Sequence, residues 1–312
     1  MMILIFAGVA VALAVVTLVG TWLIERAHPP AGRLVDVEGG KLHVVELGSP
    51  DAPPVLLLHG ASGNLRDMQL ALGAALAARY RVILVDRPGH GWSDRPHGRA
   101  DSSPLRQVQT IHQAVTALGV GRAVVLGHSW SGALATAYAL AFPQDVAGLV
   151  LLAPVTHPWP GGVGRINHLA ATPVIGPLLA HTIVLPSGYF LAPAGIVSVF
   201  APLTPPDGYR EKTAVNLLLR PSEFIANAQD LVDLKEFVRV QAPRYGDIRV
   251  PVVIISSDND EIVSTDIHSR AIARQLPQGK LIVLPNVGHM VHYAAPDRVI
   301  EAVAEVMATG SR

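Results

Sequence analysis

The chain has 312 residues and not one cysteine, which excludes a disulfide framework, a thiolate metal site and a cysteine nucleophile. Charge is scarce as well. Lys plus Arg and Asp plus Glu number 24 each, only 15% of residues are charged, and the mean hydropathy is +0.38. Such a surface offers no basic field to steer nucleic acid, so nucleic acid is not an expected partner. Internal repeats and low-complexity tracts are missing too. The length suits one large α/β domain carrying an insertion, with enough residues to bury a sizeable core.

The first segment is uncharged throughout. Met1 to Ile24 is built from Ile, Leu, Val, Ala and Phe with Trp22 near its end. At ~1.5 Å per residue a helix of this length spans roughly 35 Å, enough for a hydrocarbon core of about 30 Å. The competing reading, a cleaved secretory signal, would want basic residues first and a small-residue cleavage site after the apolar stretch. Ala12-Leu13-Ala14 comes too early for that. Residues 1–24 are therefore expected to be a single-pass anchor in a lipid bilayer. Arg26 and Arg33 follow the span and none precedes it, a slight lean toward a cytoplasmic body. His28-Pro29-Pro30-Ala31-Gly32 cannot continue a helix, so 25–32 is a linker.

Beyond the linker the pattern changes. Arg33 to Val37 and Leu42 to Glu46, separated by Glu38-Gly39-Gly40-Lys41, predict an antiparallel hairpin at a sheet edge. Apolar strands at Val55–Leu58, Val82–Val85, Val124–Leu126 and Leu149–Leu152 then alternate with helices at Met68–Ala78, Val108–Leu118 and from Ala133. This alternation argues for a mostly parallel sheet with helices on both faces. It stops over 157–247, a stretch rich in Pro and Gly and strongly apolar, with a helix-like piece at Glu223–Val240. An unstructured loop of that length would be improbable, so it is expected to be an inserted lid. Val252–Ser256, a helix around Ile267–Gln275, Leu281–Leu284 and Arg298–Met307 resume the rhythm. The core is thus expected in two parts, 33–156 and 248–312.

In such sheets ligands bind beyond the carboxyl ends of the strands, and the residues there carry chemistry. Ala123 to Gly132 reads AVVLGHSWSG, a buried strand turning sharply into a helix with Ser129 at the tip. A plain turn with a capping serine would look similar. The pentapeptide Gly127-His128-Ser129-Trp130-Ser131 resembles the Gly-x-Ser-x-Gly nucleophile elbow of the α/β-hydrolase family, with Ser131 where the second glycine is usual. A serine nucleophile needs a base and an acid that orients it. Leu281 through Gly288 leads into His289, the candidate base, with His292 its rival; Val252 through Ser257 leads into Asp258 and Asp260. Asp260 is favoured over Asp258, because the following Glu261-Ile262-Val263 is similar to the run in which relatives carry their acid. Leu58-His59-Gly60-Ala61 resembles the family's His-Gly turn, so the amides of Ala61 and Trp130 are candidate oxyanion donors. Asp86-Arg87-Pro88-Gly89-His90-Gly91-Trp92-Ser93 also resembles a turn of this superfamily, with an expected structural job. Metal motifs stay incomplete: no Glu follows His289, and Asp258-Asn259-Asp260 lacks the calcium-loop glycine. No cofactor is expected.

The resemblance implies a membrane-anchored serine hydrolase similar to esterases and lipases. An apolar lid containing Ile175, Leu178, Phe190, Leu191 and Phe200 suggests a small-molecule substrate with a lipophilic acyl or alkyl group. The alternatives with the same triad are hydrolysis of a carbon–carbon bond and perhydrolysis. From another class, the chain could be a non-catalytic binding protein.

Overall fold

The computed structural model describes residues 1–310. Its centre is an eight-stranded sheet: β1 (Arg33–Val37), β2 (Gly40–Leu47), β3 (Pro54–Leu58), β4 (Arg81–Val85), β5 (Ala123–His128), β6 (Val146–Leu152), β7 (Val252–Ser257) and β8 (Gly279–Leu284), in the order β1-β2-β4-β3-β5-β6-β7-β8. The hairpin β1–β2 is antiparallel and lies at the edge; from β4 to β8 every pairing is parallel. This is the mostly parallel sheet with an antiparallel edge hairpin that the strand rhythm predicts.

Period-two alternation divides the apolar runs between two cores. Leu56, Leu58, Ile83, Val85, Val125, Leu149, Leu151 and Ile254 face the helices Pro104–Ala117 and Ser131–Ala141. Val55, Leu57, Val82, Leu84, Val124, Leu126, Val150 and Val253 face Leu65–Ala77 and the final helix Pro296–Gly310. The helix after β3 therefore lies on one face and the helix after β5 on the other. A crevice opens between the carboxyl ends of β3 and β5 where the two diverge, the position at which open α/β sheets bind ligands.

Several helices begin earlier than their apolar residues predict. Pro104 opens the helix expected from Val108, as a proline without a donor can at a first turn. The helix expected from Met68 begins at Leu65, where the Asn64 side chain accepts from the Arg66 amide. A larger difference lies between β6 and β7. There Ile175–Leu179 continues through a wider turn at Ala180–Val184 into Leu185–Phe200, with Pro193 inside the helix. Its prolines and glycines hide it in the sequence. As a result two helical stretches among the described residues, Leu4–Ala27 and Ile175–Phe200, are long and apolar enough to cross a membrane, where only the first was expected.

Candidate active site

β5 is buried along its whole length and delivers Ser129 with φ 56°, a left-handed conformation that a non-glycine residue holds only where its surroundings over-determine it. The close approaches explain the small neighbours. A Cβ on Gly127 would stand 2.2 Å from the Ser131 carbonyl oxygen, and one on Gly132 would stand 2.3 Å from Pro154 Cβ. Ser131 is therefore not a mere substitute for glycine. Its buried hydroxyl donates to the His59 carbonyl at 2.5 Å and ties the elbow to the loop after β3, while the glycine requirement falls one residue later.

That loop brings Gly60 so near that a Cβ on it would lie 3.1 Å from Ser129 Cβ. Ala61 follows. The amides of Ala61 and Trp130 donate to no acceptor among the described residues, whereas the Ser129 amide donates to the Leu152 carbonyl at 2.9 Å. The next residue is clamped from the insertion: Asn227 accepts from the Ser62 amide at 2.7 Å and donates to the Ser62 hydroxyl at 3.1 Å.

After β7 and β8 come the acid and the imidazole. His289 Nδ1 lies 2.8 Å from Asp260 Oδ2, both side chains shielded from solvent. The other Asp260 oxygen accepts from the amides of Ile262 and Val263 at 2.9 and 2.8 Å. Asp258 instead accepts from the Asn286 amide at 2.8 Å, as a turn aspartate does. Gly288, in front of the histidine, packs where a Cβ would be 1.8 Å from the Ala201 carbonyl oxygen, so the insertion is seated directly on this loop. His292 is not beside Asp260; its Nε2 meets Asp67 Oδ2 at 3.1 Å.

Two buried polar clusters behind the site are not apparent in the sequence. Asp67 accepts from Tyr209 and Tyr293 hydroxyls at 2.8 and 3.1 Å as well as pairing with His292. Burial would raise its carboxyl, but His292, with help from the Tyr209 hydroxyl, outweighs that and holds it at about 2. His128 lies between His289 and His292, its ring tilted against theirs with centroids 4.8 and 4.4 Å away. Burial first, then these two imidazoles, push it well below its ordinary value, so it is neutral. Asp67, His128 and His292 present ligand-type atoms within 4.8 Å of one another. The Asp67 oxygens, however, are already shared among three protein donors, a set that suits a hydrogen-bonded brace better than a metal.

The second cluster is ionic. Arg87 is fully buried, pairs with Asp230 at 2.7 Å and lies 4.0 Å over the Trp130 ring. Trp130 Nε1 in turn donates to the Asp230 carbonyl at 3.0 Å. Trp130, a candidate oxyanion donor, is thus held by a charge pair whose acid comes from the helix Pro221–Gln241. Asp86, beside Arg87, accepts from Leu65 and Trp92 amides and pairs with His43. A Cβ on Gly91 would collide with its carboxylate, which accounts for the tight turn in that motif.

Ser129, Trp130, Ala61, Asp260 and His289 all line one cavity of about 860 Å³. Ala192, Ile196, Val199, Leu219 and Leu231 supply its opposite wall, and no lysine or arginine is among the lining residues. The structure brings the predicted serine, histidine and aspartate to a single space; it leaves His292 and Asp258 outside that arrangement.

The family model described as the alpha/beta hydrolase family matches residues 55–302. Among curated proteins, the chain is 29% identical over 280 residues to the dihydrolipoyllysine-residue acetyltransferase component of the acetoin cleaving system of Pseudomonas putida, covering 88% of this chain and 69% of that protein. It is 27% identical over 277 residues to a 2-hydroxy-6-oxo-6-phenylhexa-2,4-dienoate hydrolase of Burkholderia cepacia, covering 86% of this chain and 92% of that one. Among solved structures, a thermophilic esterase from Thermogutta terrifontis superposes with a TM-score of 0.68 at 22% identity, over 89% of this chain and 99% of its own. At that identity the likeness is one of fold.

Proposed function

The chain belongs to the alpha/beta hydrolase family, and from that premise we propose that it hydrolyses an uncharged ester of a lipophilic acyl or alkyl group through Ser129. The observation that carries this reading is the His289–Asp260 pair at 2.8 Å, lining the same cavity as Ser129 on its strained turn.

In this mechanism the Ser129 hydroxyl adds to the acyl carbonyl while His289 takes its proton and Asp260 holds the imidazolium. The amides of Ala61 and Trp130 receive the oxyanion, each worth on the order of 3 kcal/mol in the transition state. Collapse expels the alcohol, which takes the proton from His289. Water, deprotonated by His289, then attacks the acyl-enzyme, and the carboxylic acid leaves with Ser129 restored. The N-terminal helix anchors the enzyme in a bilayer. In support, residues 1–24 carry no charged side chain, and at the helix's end the Arg26 guanidinium lies 5.3 Å from the Trp22 ring, the pairing of residue types found at membrane interfaces.

The dienoate hydrolase relative makes carbon–carbon bond hydrolysis the second reading. A dienoate brings a carboxylate, and the lining residues include no cation to receive it, so the neutral ester is preferred. Ser129→Ala should abolish labelling by a fluorophosphonate probe and lower ester kcat/KM by roughly four to six orders of magnitude. Undiminished labelling would refute the role of Ser129. Turnover of dienoates but of no ester in a panel from acetate to palmitate would replace the first reading by the second.

A further inference from the structure

We infer that the first half of the insertion is itself immersed in the bilayer beside the N-terminal helix, so that the cavity takes its substrate, an uncharged long-chain lipid ester, from the lipid phase. This rests on reading that helix as a membrane anchor.

From Ile166 to Pro206 the chain contains no Asp, Glu, Lys or Arg. Leu178, Phe190, Leu191 and Val197 in this stretch are nevertheless 60%, 80%, 65% and 56% exposed, an outward apolar surface that soluble monomers rarely present as one patch. The opposite side of the same helix, at Ala192, Ile196 and Val199, lines the cavity. One element therefore separates the reacting space from whatever covers its outer face.

The N-terminal helix says what covers it. The Thr17 hydroxyl donates to the Thr182 carbonyl at 3.4 Å, and Gly20 admits Leu185 so closely that a Cβ would come within 2.7 Å of it. Small residues at such a crossing let helices approach in lipid. Near the interface markers Trp22 and Arg26, the charged Glu25 meets Arg220 of the insertion's second half at 3.2 Å. Thr17 lies five residues before Trp22, ~8 Å deeper at the helical rise. The contact with the uncharged half therefore falls on the hydrocarbon side of the interface, and the contact with the charged half falls at the interface.

The cysteine-free chain allows a direct test on the full-length protein in phosphatidylcholine liposomes. Single variants Phe190→Cys, Leu191→Cys, Val9→Cys and Asp51→Cys would carry an environment-sensitive fluorophore, with collisional quenching by nitroxide-labelled lipid as readout. Strong quenching at 190 and 191, several-fold above that at 51, supports the inference. Quenching at 190 and 191 no greater than at 51 overturns it, and the label at 9 then reports separately whether the anchor stands. Energy transfer between labels on different molecules at 190, without lipid quenching, would mean that a second copy covers the face, and would also overturn it. A Phe190→Glu variant supplies the functional arm. Hydrolysis of a long-chain ester presented in liposomes should fall tenfold or more while hydrolysis of a water-soluble acetate is unchanged; an equal effect on both, or none on either, counts against entry from the lipid.

Discussion

Between β6 and β7 the chain passes the cavity twice, first as the uncharged stretch Ile175–Phe200 and then as the helix Pro221–Gln241, which turns Glu223, Asn227 and Asp230 inward. In the first passage apolar side chains such as Phe190 and Leu191 are exposed. In the second, Arg220, Glu223, Asn227 and Asp230 are buried. Both passages depart from the usual sorting of apolar inside and polar outside, for different reasons. The first passage presents oil to its surroundings and to the substrate. The second braces the loops that carry the candidate site residues, with Asn227 on Ser62 and Asp230 on Arg87. We propose that the segment expected to be one lid is two devices: a wall of the candidate site that must not move, and an apolar cover.

Breaking the second device should have the largest effect. Asp230→Ala leaves the Arg87 guanidinium buried without its carboxylate, a situation that costs about 3–5 kcal/mol, and frees the Trp130 ring that Arg87 covers. Chemical unfolding should show that loss, and in whatever folds kcat should fall more than KM changes, because in the proposed mechanism the Trp130 amide acts on the transition state. A loss below about 1 kcal/mol would mean that the second passage is a loose flap like any surface helix.

Glu223 provides a pH-dependent version of the same test. Burial raises its carboxyl to about 7 despite the ion pair with Arg220 at 2.7 Å, and its Oε1 has no hydrogen-bond partner. A carboxyl raised on folding binds its proton more tightly in the folded state. Stability is therefore untouched below the unfolded value near 4.5 and is lost as pH rises through about 7. Relative to Glu223→Gln, the wild type should lose about 3 kcal/mol between those limits, measured as the difference in unfolding free energy across pH. A difference that does not vary with pH would remove the buried charge from the account.

Much of this was legible before any coordinates. Short apolar runs alternating with helical stretches announce a parallel sheet, and the residues just past them, at 61, 129, 260 and 289, are where the structure puts its cavity. Asp230 and Asn227 were not legible, because their partners Arg87 and Ser62 lie more than a hundred residues away and a helix with charges around its circumference reads as solvated. Asp67 was hidden for a related reason: the donors that make it a brace, Tyr209, His292 and Tyr293, come from two other segments. The helix around Pro193 was obscured by local propensity, which prolines and glycines lower and which tertiary packing overrode.

The smallest expected effect separates the two faces of the first passage. Ile196 lines the cavity, whereas Phe190 does not and is 80% exposed. Ile196→Ala removes three carbons from the wall, so where the acyl chain reaches them kcat/KM should fall by about 1–2 kcal/mol at ~0.8 kcal/mol per methylene, less whatever neighbouring side chains refill. An acetyl group stops short of that wall and should be hydrolysed as before. Phe190→Ala, in detergent solution, should stay within about 0.5 kcal/mol for both substrates, as substitutions away from packed groups do. The sign of the chain-length dependence is decisive. If Ile196→Ala slowed acetate and long-chain esters alike, the residue would be holding the fold of the cover and not the acyl group, and the oily wall would have to be explained by the membrane alone.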